Sequence, residues 1–549
     1  MMPGSLLMRA TCRHRAAIAV MVAVLGVGST AWGGRIDPGL LQKLDAAPPT
    51  TEFAVVVKLP EATDYRALRR SLGEAGKGIR HARVVVALRD RAASSQSGIR
   101  ETLAAREREG NARKVRGFWI FNGVSLTAPA RTIRELADRD DVEEVIPDRI
   151  VSLEQPAAAQ AVAVPGWNLT MIGAPVLWNL GYTGQGVVVA NLDSGVDINH
   201  PALASKWRGG ANSWFDAIST PPTTRPFDDN GHGTNTMGAM VAGTTSDNLV
   251  GVAPGAEWIA AKIFDSQGNG TFSGIHAAFQ WLLDPNGDGS PSDAPDVVNC
   301  SWSIDTAGKY NAEFAPDIQA LTTAGIVVVF AAGNSGPLAG TSVSPANNPG
   351  AFPVGATNSN DLVTTVSSRG PSAFDNSSIY PSVTAPGESI RTTDLTGGGN
   401  FPDSYTNADG TSLSAPQAAG ACALLLSIDP TLAVADLENA LKNGALDLGA
   451  AGPDNSYGFG RVDVIRAAEY LNLIPRHVPS GDVDGDGAVT VRDALIVLQA
   501  AVGLIPSSAT LMYNGDVAPL VNGVPAPDGK IGVVDALLIL RKAVGASTF

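Results

Sequence analysis

The sequence predicts an α/β domain with a parallel sheet, preceded by a small α+β domain and followed by a small helical module. From about residue 166 to 472, continuous apolar runs alternate with longer helical segments, the pattern of strands buried on both faces of a parallel sheet. Residues 53–153 combine strand-like runs with charged helical stretches, and residues 473–549 contain a repeated loop and helix. A chain of 549 residues is long enough for all three units.

The N-terminus has the layout of a cleavable secretory signal. Three arginines between residues 9 and 15 precede the apolar run Ala16–Val27 and the small residues Ser29–Ala31. We expect residues 1–31 to direct secretion and to be removed; a retained N-terminal anchor is the alternative, which the short apolar run disfavours. No internal apolar run approaches the roughly 20 residues of a membrane-spanning helix. Residues 32–52 are expected to form a linker.

The predicted α+β domain alternates strands with charged helices. Strand-like runs lie at Phe53–Leu59, Arg83–Leu88 and Phe118–Phe121, and a charged helical stretch lies at Ile99–Arg108. The following stretch, residues 154–165, is rich in Ala, Gln, Val and Pro and carries almost no charge or periodicity. We therefore expect an exposed joint that is open to proteolytic cleavage.

The predicted parallel sheet takes its strands from four apolar runs, and the helices between these runs are small-residue or apolar enough to pack on a sheet. The predicted strands are Val187–Leu192, Trp258–Ile263, Val297–Val298 and Ile326–Phe330. The predicted helices are Ile275–Leu283, Ala312–Thr323 and Pro416–Leu426.

Cysteine usage and charge limit the possible functions. Removal of the signal would leave Cys300 and Cys422, in a predicted buried strand and a predicted buried helix, so we expect neither a disulfide framework nor a cysteine nucleophile. Residues 52–154 carry 19 basic and 16 acidic side chains, whereas residues 155–549 carry 15 and 35. The two parts should attract each other, and the acidic larger part argues against nucleic acid as the main partner.

Three segments supply the groups that nucleophilic catalysis needs. Asp193 ends an apolar strand, where open α/β sheets place their sites. His232 is flanked by glycines, and Ser412 directly precedes an apolar helix whose unpaired N–H groups favour negative charge. Taken singly, each has a plain structural alternative as a turn residue, a buried histidine or a helix cap. Together they form a serine nucleophile, its base and the group that orients the base.

These three segments resemble the subtilisin-like serine proteases. The matches are Asp193-Ser-Gly-Val, His232-Gly-Thr and Gly410-Thr-Ser-Leu-Ser-Ala-Pro416, in the chain order Asp, His, Ser of that family. The resemblance covers residues 166–472. It implies a serine endopeptidase with an Asp/His/Ser triad that acts on extracellular proteins.

Two further segments extend this resemblance. The run Phe330–Gly336 resembles the family's oxyanion-hole loop, which implies that the Asn334 amide and the Ser412 N–H bind the oxyanion. The run Val297–Ser303 resembles the substrate-binding strand, where an extended peptide would pair with the backbone. The resemblance assigns substrate binding to Ser301, Trp302, Ser303 and Gly333. Departures from residues common in the family occur at Ser303, Ile304 and Asn235, and they leave the side-chain preference open.

The N-terminal domain, residues 53–153, resembles the inhibitory and chaperone propeptide of the same family. The runs Phe118–Val124 and Val142–Pro147 carry this resemblance, and the layout as a whole resembles bacillopeptidase F-type members. It implies a precursor that is cleaved in the joint and has its own propeptide as a partner.

The C-terminal residues 473–549 contain two copies of a loop and helix, 42 residues apart. The first loop places oxygen ligands at positions 1, 3, 5, 9 and 12, a spacing that suits Ca²⁺. These ligands are Asp482, Asp484, Asp486, Thr490 and Asp493. The second loop keeps Asp516, Asp528 and Asp535, but Ala518 and Pro519 replace a ligand and the loop is eight residues longer. We expect weaker or altered binding there.

Paired units of this kind resemble type I dockerin modules with EF-hand-like loops. The resemblance implies Ca²⁺-dependent attachment to a cohesin-bearing scaffold or cell surface. A similar loop start at Asp284–Gly289 lacks a clear final carboxylate, so both a calcium site and a plain surface loop stay open. The alternative to an active peptidase is a catalytically silent protein that binds a scaffold. An esterase is disfavoured because no Gly-x-Ser-x-Gly elbow surrounds Ser412.

Overall fold

The structure is a computed structural model, and it describes residues 34–60, 63–73, 75–153, 157–158, 166–243, 250–397 and 404–549. The predicted signal lies outside the described residues. So does most of the predicted joint, of which only Ala157–Ala158 is described.

The N-terminal domain is an α+β unit, as predicted. Its strands are β1 (Arg35–Ile36), β2 (Glu52–Lys58), β3 (Arg113–Phe118), β4 (Gly123–Pro129), β5 (Glu144–Pro147) and β6 (Ile150–Ser152). Its helices are α1 (Pro38–Ala46), α2 (Tyr65–Leu72), α3 (Lys77–Ser95), α4 (Ser97–Arg108) and α5 (Ala130–Ala137). The first five strands form one sheet in the order β1-β5-β2-β4-β3, in which only β1 and β5 run parallel.

Three stretches of this domain differ from the prediction, and two of them lie at its N-terminus and after β3. Residues 35–46, expected to lie in a linker, form β1 and α1, because Leu40 and Leu44 of α1 are buried against the sheet. The run Phe118–Phe121, expected to be a strand, contains only the last residue of β3 and continues as a turn.

The predicted strand Arg83–Leu88 is wrong, because these residues lie in the middle of α3. Their three consecutive valines gave the strand signal. In the structure Val84 and Val85 face the core, whereas Val86 is 53% exposed, as helical spacing requires. The predicted helix Ile99–Arg108 is confirmed within α4.

The central domain is an α/β unit. Its strands are β7 (Ala157–Ala158), β8 (Val188–Asp193), β9 (Trp214–Asp216), β10 (Glu257–Lys262), β11 (Asn269–Thr271), β12 (Val297–Cys300), β13 (Val327–Ala331), β14 (Phe352–Thr357), β15 (Val383–Pro386), β16 (Ile390–Thr393) and β17 (Tyr405–Asp409). Its helices are α6 (Trp167–Ile172), α7 (Ala174–Asn179), α8 (Pro201–Ala204), α9 (His232–Val241), α10 (Phe272–Leu283), α11 (Ala315–Ala324), α12 (Thr411–Ile428), α13 (Val434–Asn443) and α14 (Val464–Tyr470).

Seven of these strands form a parallel sheet in the order β15-β14-β13-β12-β8-β10-β9. This confirms the predicted parallel-sheet α/β fold of the central domain and the four predicted strands, each within one or two residues at its ends. Side chains alternate along each strand, so that Val327 and Val329 pack toward α12 while Val328 and Phe330 pack toward α10 and α11. The sheet is therefore covered on both faces, as a parallel sheet requires.

Helix α12 occupies the centre of one face. Among the described residues it is the helix long and apolar enough to cross a membrane, but 89% of that window is buried inside the protein. Cys300 on β12 and Cys422 on α12 are free and buried, and burial raises the pKa of both thiols. Both cysteines therefore act as apolar core residues, as expected.

The C-terminal module is small and mostly helical. Its elements are α15 (Val491–Ala501), α16 (Ala509–Gly515), β18 (Leu520–Val521), β19 (Val524–Pro525) and α17 (Val533–Ala543). Helices α15 and α17 pack against each other around Val497 and Ile539, and α16 packs against α6 of the central domain.

The N-terminal domain packs one face of its sheet on α10 and α11 of the central domain, and the two share one apolar core. Charged contacts border this core. Lys58 Nζ lies 2.6 Å from Glu313, and Arg89 and Lys77 of α3 pair with Asp284 and Asp296. The expected attraction between a basic N-terminal part and an acidic remainder is thus seen as specific ion pairs.

Candidate active site

The first two predicted catalytic residues meet at the carboxyl edge of the parallel sheet. Asp193 is the last residue of β8 and His232 is the first residue of α9, and His232 Nδ1 lies 2.7 Å from Asp193 Oδ1. Both side chains are buried. The carboxylate fixes the imidazole orientation. It leaves His232 Nε2, which has no hydrogen-bond partner among the described residues, as the nitrogen that can accept a proton.

Asp228, which no sequence motif indicates, holds the turn that carries His232. Its Oδ1 accepts the Gly231 N–H at 2.9 Å and the Ser194 hydroxyl at 3.0 Å. Its Oδ2 accepts the N–H and the hydroxyl of Thr234 at 2.9 and 2.7 Å. These bonds satisfy N–H groups at the start of α9 and tie them to the residue after Asp193. The sequence gives no sign of this role, because an Asp shortly before an Asn-Gly pair indicates only a turn.

Ser412 is the second residue of α12 and is 3% exposed. N–H groups in the first turn of a helix have no helical acceptor, so the Ser412 N–H is available to a ligand. Its carbonyl would normally accept from the residue four positions later, but that residue is Pro416, which has no N–H. Ser301 Oγ donates to the Ser412 carbonyl at 3.0 Å instead.

Asn334 lies in the loop after β13, beside the start of α12. Its Oδ1 accepts the N–H of Thr411 at 3.0 Å and the hydroxyl of the same residue at 2.9 Å. Two donors on Oδ1 fix the orientation of the amide and leave Nδ2 to donate elsewhere. Asp193 and His232 thus meet at the start of α9, Asn334 and Ser412 lie at the start of α12, and these two helices pack against each other.

Comparison with known proteins identifies the family. Residues 184–460, just over half of the chain, match the subtilase family. The chain belongs to the subtilase family. Residues 72–154 of this subtilase match the peptidase inhibitor I9 family, so the N-terminal domain is an I9 propeptide domain. The protein is a serine endopeptidase by family, and its own propeptide and protein substrates are its partners.

Relatives of this subtilase include bacillopeptidase F of Bacillus subtilis, which is 35% identical over 420 residues. That alignment covers 70% of this chain but 28% of the relative, so the chain spans less than a third of bacillopeptidase F. Subtilisin E of Bacillus subtilis is 34% identical over 400 residues, which cover 72% of this chain and 92% of the relative. Subtilisin of Bacillus pumilus is 36% identical over 312 residues, covering 56% of this chain and all of the relative.

The predicted substrate-binding residues of the subtilase domain differ in accessibility. The side chains of Ser301 and Trp302 are buried, and Trp302 packs against the rings of Phe314 and Phe330. At these two positions only the backbone can face a peptide. Ser303 is partly exposed, and the Gly333 N–H donates to Thr411 Oγ1 at 3.1 Å. Among these four residues, only Ser303 is partly exposed.

The last described residues of the I9 domain lie on the subtilase domain as an added strand. Strand β6 pairs antiparallel with β11, and the Leu153 N–H donates to the Gly268 carbonyl at 2.7 Å. Strand β7, at Ala157–Ala158, pairs with the end of β17, three residues before Ser412. The connection between the two domains thus contacts subtilase strands both before and after residues 154–156.

Three carboxylates of the first C-terminal loop converge. The ligand atoms of Asp482, Asp484 and Asp486 all lie within 4.8 Å of one another. Thr490 caps α15, and Asp493 turns back so that its carboxylate accepts N–H groups of the loop. Converging hard oxygens fit Ca²⁺.

The second loop shares part of this arrangement. Asp535 accepts the Val517 and Ala518 N–H groups just as Asp493 does in the first loop, and the eight extra residues accommodate the hairpin β18–β19. In the described part of the chain, however, Asp516 and Asp528 do not join a convergent group of three ligands. Burial and the charge of Asp535 raise the pKa of Asp516 to about 6.

The loop that begins at Asp284 lies against the I9 domain. The Asp284 carboxylate pairs with Arg89 of α3 and accepts the Gly289 N–H at 3.0 Å. Its side chain is fully buried by these contacts. This loop is therefore part of the interface with the I9 domain.

Proposed function

We propose that this subtilase cleaves peptide bonds of extracellular proteins through an acyl-enzyme. His232 Nε2 takes the proton of Ser412 as Ser412 Oγ attacks the scissile carbonyl, and Asp193 stabilises the imidazolium that forms. The imidazolium then gives this proton to the leaving amine as the peptide C–N bond breaks, and a water molecule deprotonated by His232 hydrolyses the acyl-enzyme. The Asn334 amide and the Ser412 N–H bind the oxyanion. The observation that carries the proposal is the 2.7 Å contact between His232 and Asp193, with Nε2 unpaired among the described residues.

We propose that the chain is made as a secreted precursor that processes itself. The signal is residues 1–31, cleavage falls within residues 154–165, and the mature subtilase domain is residues 166–472. The support is the added strand β6 on β11, which places the end of the I9 domain along a strand of the subtilase domain. The ion pairs of Lys58 and Arg89 across the interface would keep the cleaved propeptide bound as an inhibitor.

We also propose that residues 473–549 attach the enzyme to a cohesin-bearing protein in the manner of a dockerin. Helices α15 and α17 expose matching apolar side chains, spaced at i, i+4, i+7 and i+11 and between 37% and 64% exposed. They are Val491, Leu495 and Leu498 on α15 with Val502 just after it, and Val533, Leu537 and Leu540 on α17 with Val544 just after it. Contiguous apolar surface of this kind commonly marks a protein interaction site.

The peptidase proposal is tested by casein hydrolysis and intact mass. The refolded chain is incubated with Ca²⁺ beside Ser412→Ala, which retains the fold but lacks the nucleophile. We expect activity and a fall in mass in the unmutated chain and neither in the variant. Full-length mass without activity in both chains would contradict self-processing and catalysis together, and would favour the silent scaffold-binding alternative.

A serine-directed phosphonate separates these alternatives directly. We expect the phosphonate to label Ser412 in the unmutated chain but not in His232→Ala, because the base is required to activate the serine. Equal labelling of both chains would contradict the proposed role of His232.

A further inference from the structure

A chain of buried polar side chains runs beneath the proposed triad and joins α9 to α12. Its members are Asn191 on β8, Thr236 on α9, Asn299 on β12, and Ser301 just after β12. None is more than 2% exposed. Burying a polar group costs free energy unless it is hydrogen-bonded, so polar side chains in a core require partners.

Toward α9, Asn191 holds the turn that begins with His232. Asn191 Nδ2 donates to Thr236 Oγ1 at 2.9 Å and to the Gly233 carbonyl at 3.1 Å. The Thr236 hydroxyl in turn lies 3.4 Å from Asp193 Oδ2. Asn191 is thereby linked to the helix that carries the base and to the carboxylate that orients it.

Toward α12, the same amide connects to the helix that carries Ser412. Asn191 and Asn299 lie directly opposite each other on paired strands, and Asn299 Nδ2 donates to Asn191 Oδ1 at 2.9 Å. Asn299 Nδ2 also donates to Ser301 Oγ at 3.0 Å, and Ser301 Oγ donates to the Ser412 carbonyl at 3.0 Å. Pro416 leaves that carbonyl without a helical donor, so Ser301 satisfies it.

We propose that Asn191 and Asn299 are positioning residues that set the separation of His232 and Ser412. The proposal rests on the proposed triad. Apolar contacts between α9, α12 and the sheet are non-directional, whereas hydrogen bonds depend on distance and angle. The two amides therefore fix both helices to one rigid point in the middle of the sheet. A displacement of about 1 Å between reacting groups can cost about 10²-fold in rate.

Asn191→Leu tests this, with Asn347→Leu as the matched control. Asn347 also has a buried amide in the subtilase domain, but it lies outside the polar chain. It donates to the Lys309 carbonyl at 3.0 Å and accepts the Ser344 hydroxyl at 2.7 Å. Mature enzyme is assayed on a chromogenic peptide, with active sites titrated by phosphonate. We expect Asn191→Leu to lower kcat about 10- to 100-fold with KM changed less than threefold, and the control to keep both.

Ser301→Ala is the second variant, because it removes the bond to the Ser412 carbonyl and the bond from Asn299, but leaves the bonds between Asn191 and α9 in place. We expect it to lower kcat without lowering the melting temperature to the extent of Asn191→Leu. Because the residues act as one unit, the double variant should lose far less than the product of the two single losses.

The outcomes are distinct. Asn191→Leu with kcat within threefold of the control, or fully multiplicative losses in the double variant, would overturn the positioning role. If Asn191→Leu does not fold, Ser301→Ala decides alone: unchanged kcat refutes the proposal and reduced kcat with unchanged KM supports it. An unmutated chain that neither hydrolyses casein nor takes up the phosphonate would instead refute the proposed function.

Discussion

Thr411 couples the two groups that are proposed to hold the oxyanion. Its N–H and hydroxyl both contact Asn334 Oδ1, and its Oγ1 also accepts the Gly333 N–H. The residue that precedes Ser412 therefore sets the position of the Asn334 amide. The amide is held before substrate arrives, which is the condition under which such donors contribute most to catalysis.

Replacement of Asn334 tests this role at the scale of one residue. Asn334→Ala removes the donor, and we expect kcat to fall about 10²- to 10³-fold with little change in KM, since the oxyanion exists only in the transition state. Asn358→Ala is the control: Asn358 Oδ1 accepts two N–H groups in a surface turn. The measurement is steady-state hydrolysis of a chromogenic peptide. A rise in KM at constant kcat would assign Asn334 to ground-state binding instead.

Local motifs could indicate Asp193, His232 and Ser412, because each stands in a short run whose glycines, strand or helix suggest its use. No such signal could indicate Asp228 or Asn191. Asp228 acts through donors on both sides of His232 and through Ser194, just after β8, and Asn191 acts through a partner that is 108 residues away on the neighbouring strand. Strand pairing in space creates these contacts, so they follow from the fold rather than from a run of sequence.

A charged cluster at the I9 interface bridges α10 and the start of α11. His276 Nδ1 lies 3.0 Å from both Asp317 oxygens, and His276 Nε2 lies 3.0 Å from Glu313. Glu313 also pairs with Lys58 of the I9 domain, and the Phe121 ring of that domain lies 4.1 Å from the imidazole. Nearby carboxylates are Asp148, which caps α10 from the I9 domain, and Glu144, 4.0 Å from Lys58. The imidazole is fully buried.

This cluster predicts a pH-dependent stability of the precursor. Burial favours neutral His276, but Asp317 and Glu313 outweigh it and raise the pKa to about 9. Its pKa in the unfolded chain is about 6.5, so the stabilisation is complete below about pH 6.5 and is lost as pH rises through about 9. In urea titrations of Ser412→Ala, the free energy of unfolding should fall by on the order of 3 kcal/mol between about pH 6 and about pH 10.

His276→Gln provides the comparison for this prediction. The amide does not titrate, so the difference in unfolding free energy between Ser412→Ala and the double variant should shrink across the same pH range. A difference that is constant with pH would show that His276 does not change its protonation on unfolding.

The elements that sequence periodicity predicts best are those buried on both faces. Strands β8, β10, β12 and β13 are continuous apolar runs in the sequence, and their predicted ends lie within one or two residues of the observed ends. The valine run in α3 predicts a strand because β-branched residues favour strands locally. These residues are helical in the structure because one face of α3 packs against α11. The hairpin β18–β19 was not predicted, since its two-residue strands are too short for any alternation.

The C-terminal module is predicted to need a cation. Asp482, Asp484 and Asp486 repel one another in its absence. We expect EDTA to lower the melting temperature of the module in Ser412→Ala, and Asp482→Asn with Asp486→Asn to remove one Ca²⁺ from the stoichiometry measured by calorimetry. Asp528→Asn in the second loop is the control, with a smaller expected effect. An unchanged stoichiometry in the first-loop variant would refute the site.

The C-terminal module is also predicted to stabilise the subtilase domain, because the module packs against that domain. Arg461 is fully buried, pairs with Asp361 at 2.7 Å and donates to the Ser507 carbonyl of the module at 3.1 Å. Ala509 packs in the same apolar core as Ile465 of α14. Removal of residues 473–549 would expose this core and leave the buried guanidinium with one partner fewer.

We therefore expect the chain truncated after Asn472 to have a melting temperature several degrees below that of the full chain. Both chains carry Ser412→Ala and are measured by calorimetry. A loss of about 1 kcal/mol of stability lowers the melting temperature of a domain of 150–250 residues by about 2–4 °C. Ala509→Glu in the full-length chain should reproduce the shift, because it forces a charge against Ile465. Thr431→Ala, a change in an exposed turn far along the chain from this contact, should not. Equal melting temperatures for all four chains would mean that the module is a free tether, and its packing on α6 and α14 would then contribute nothing to the stability of the enzyme.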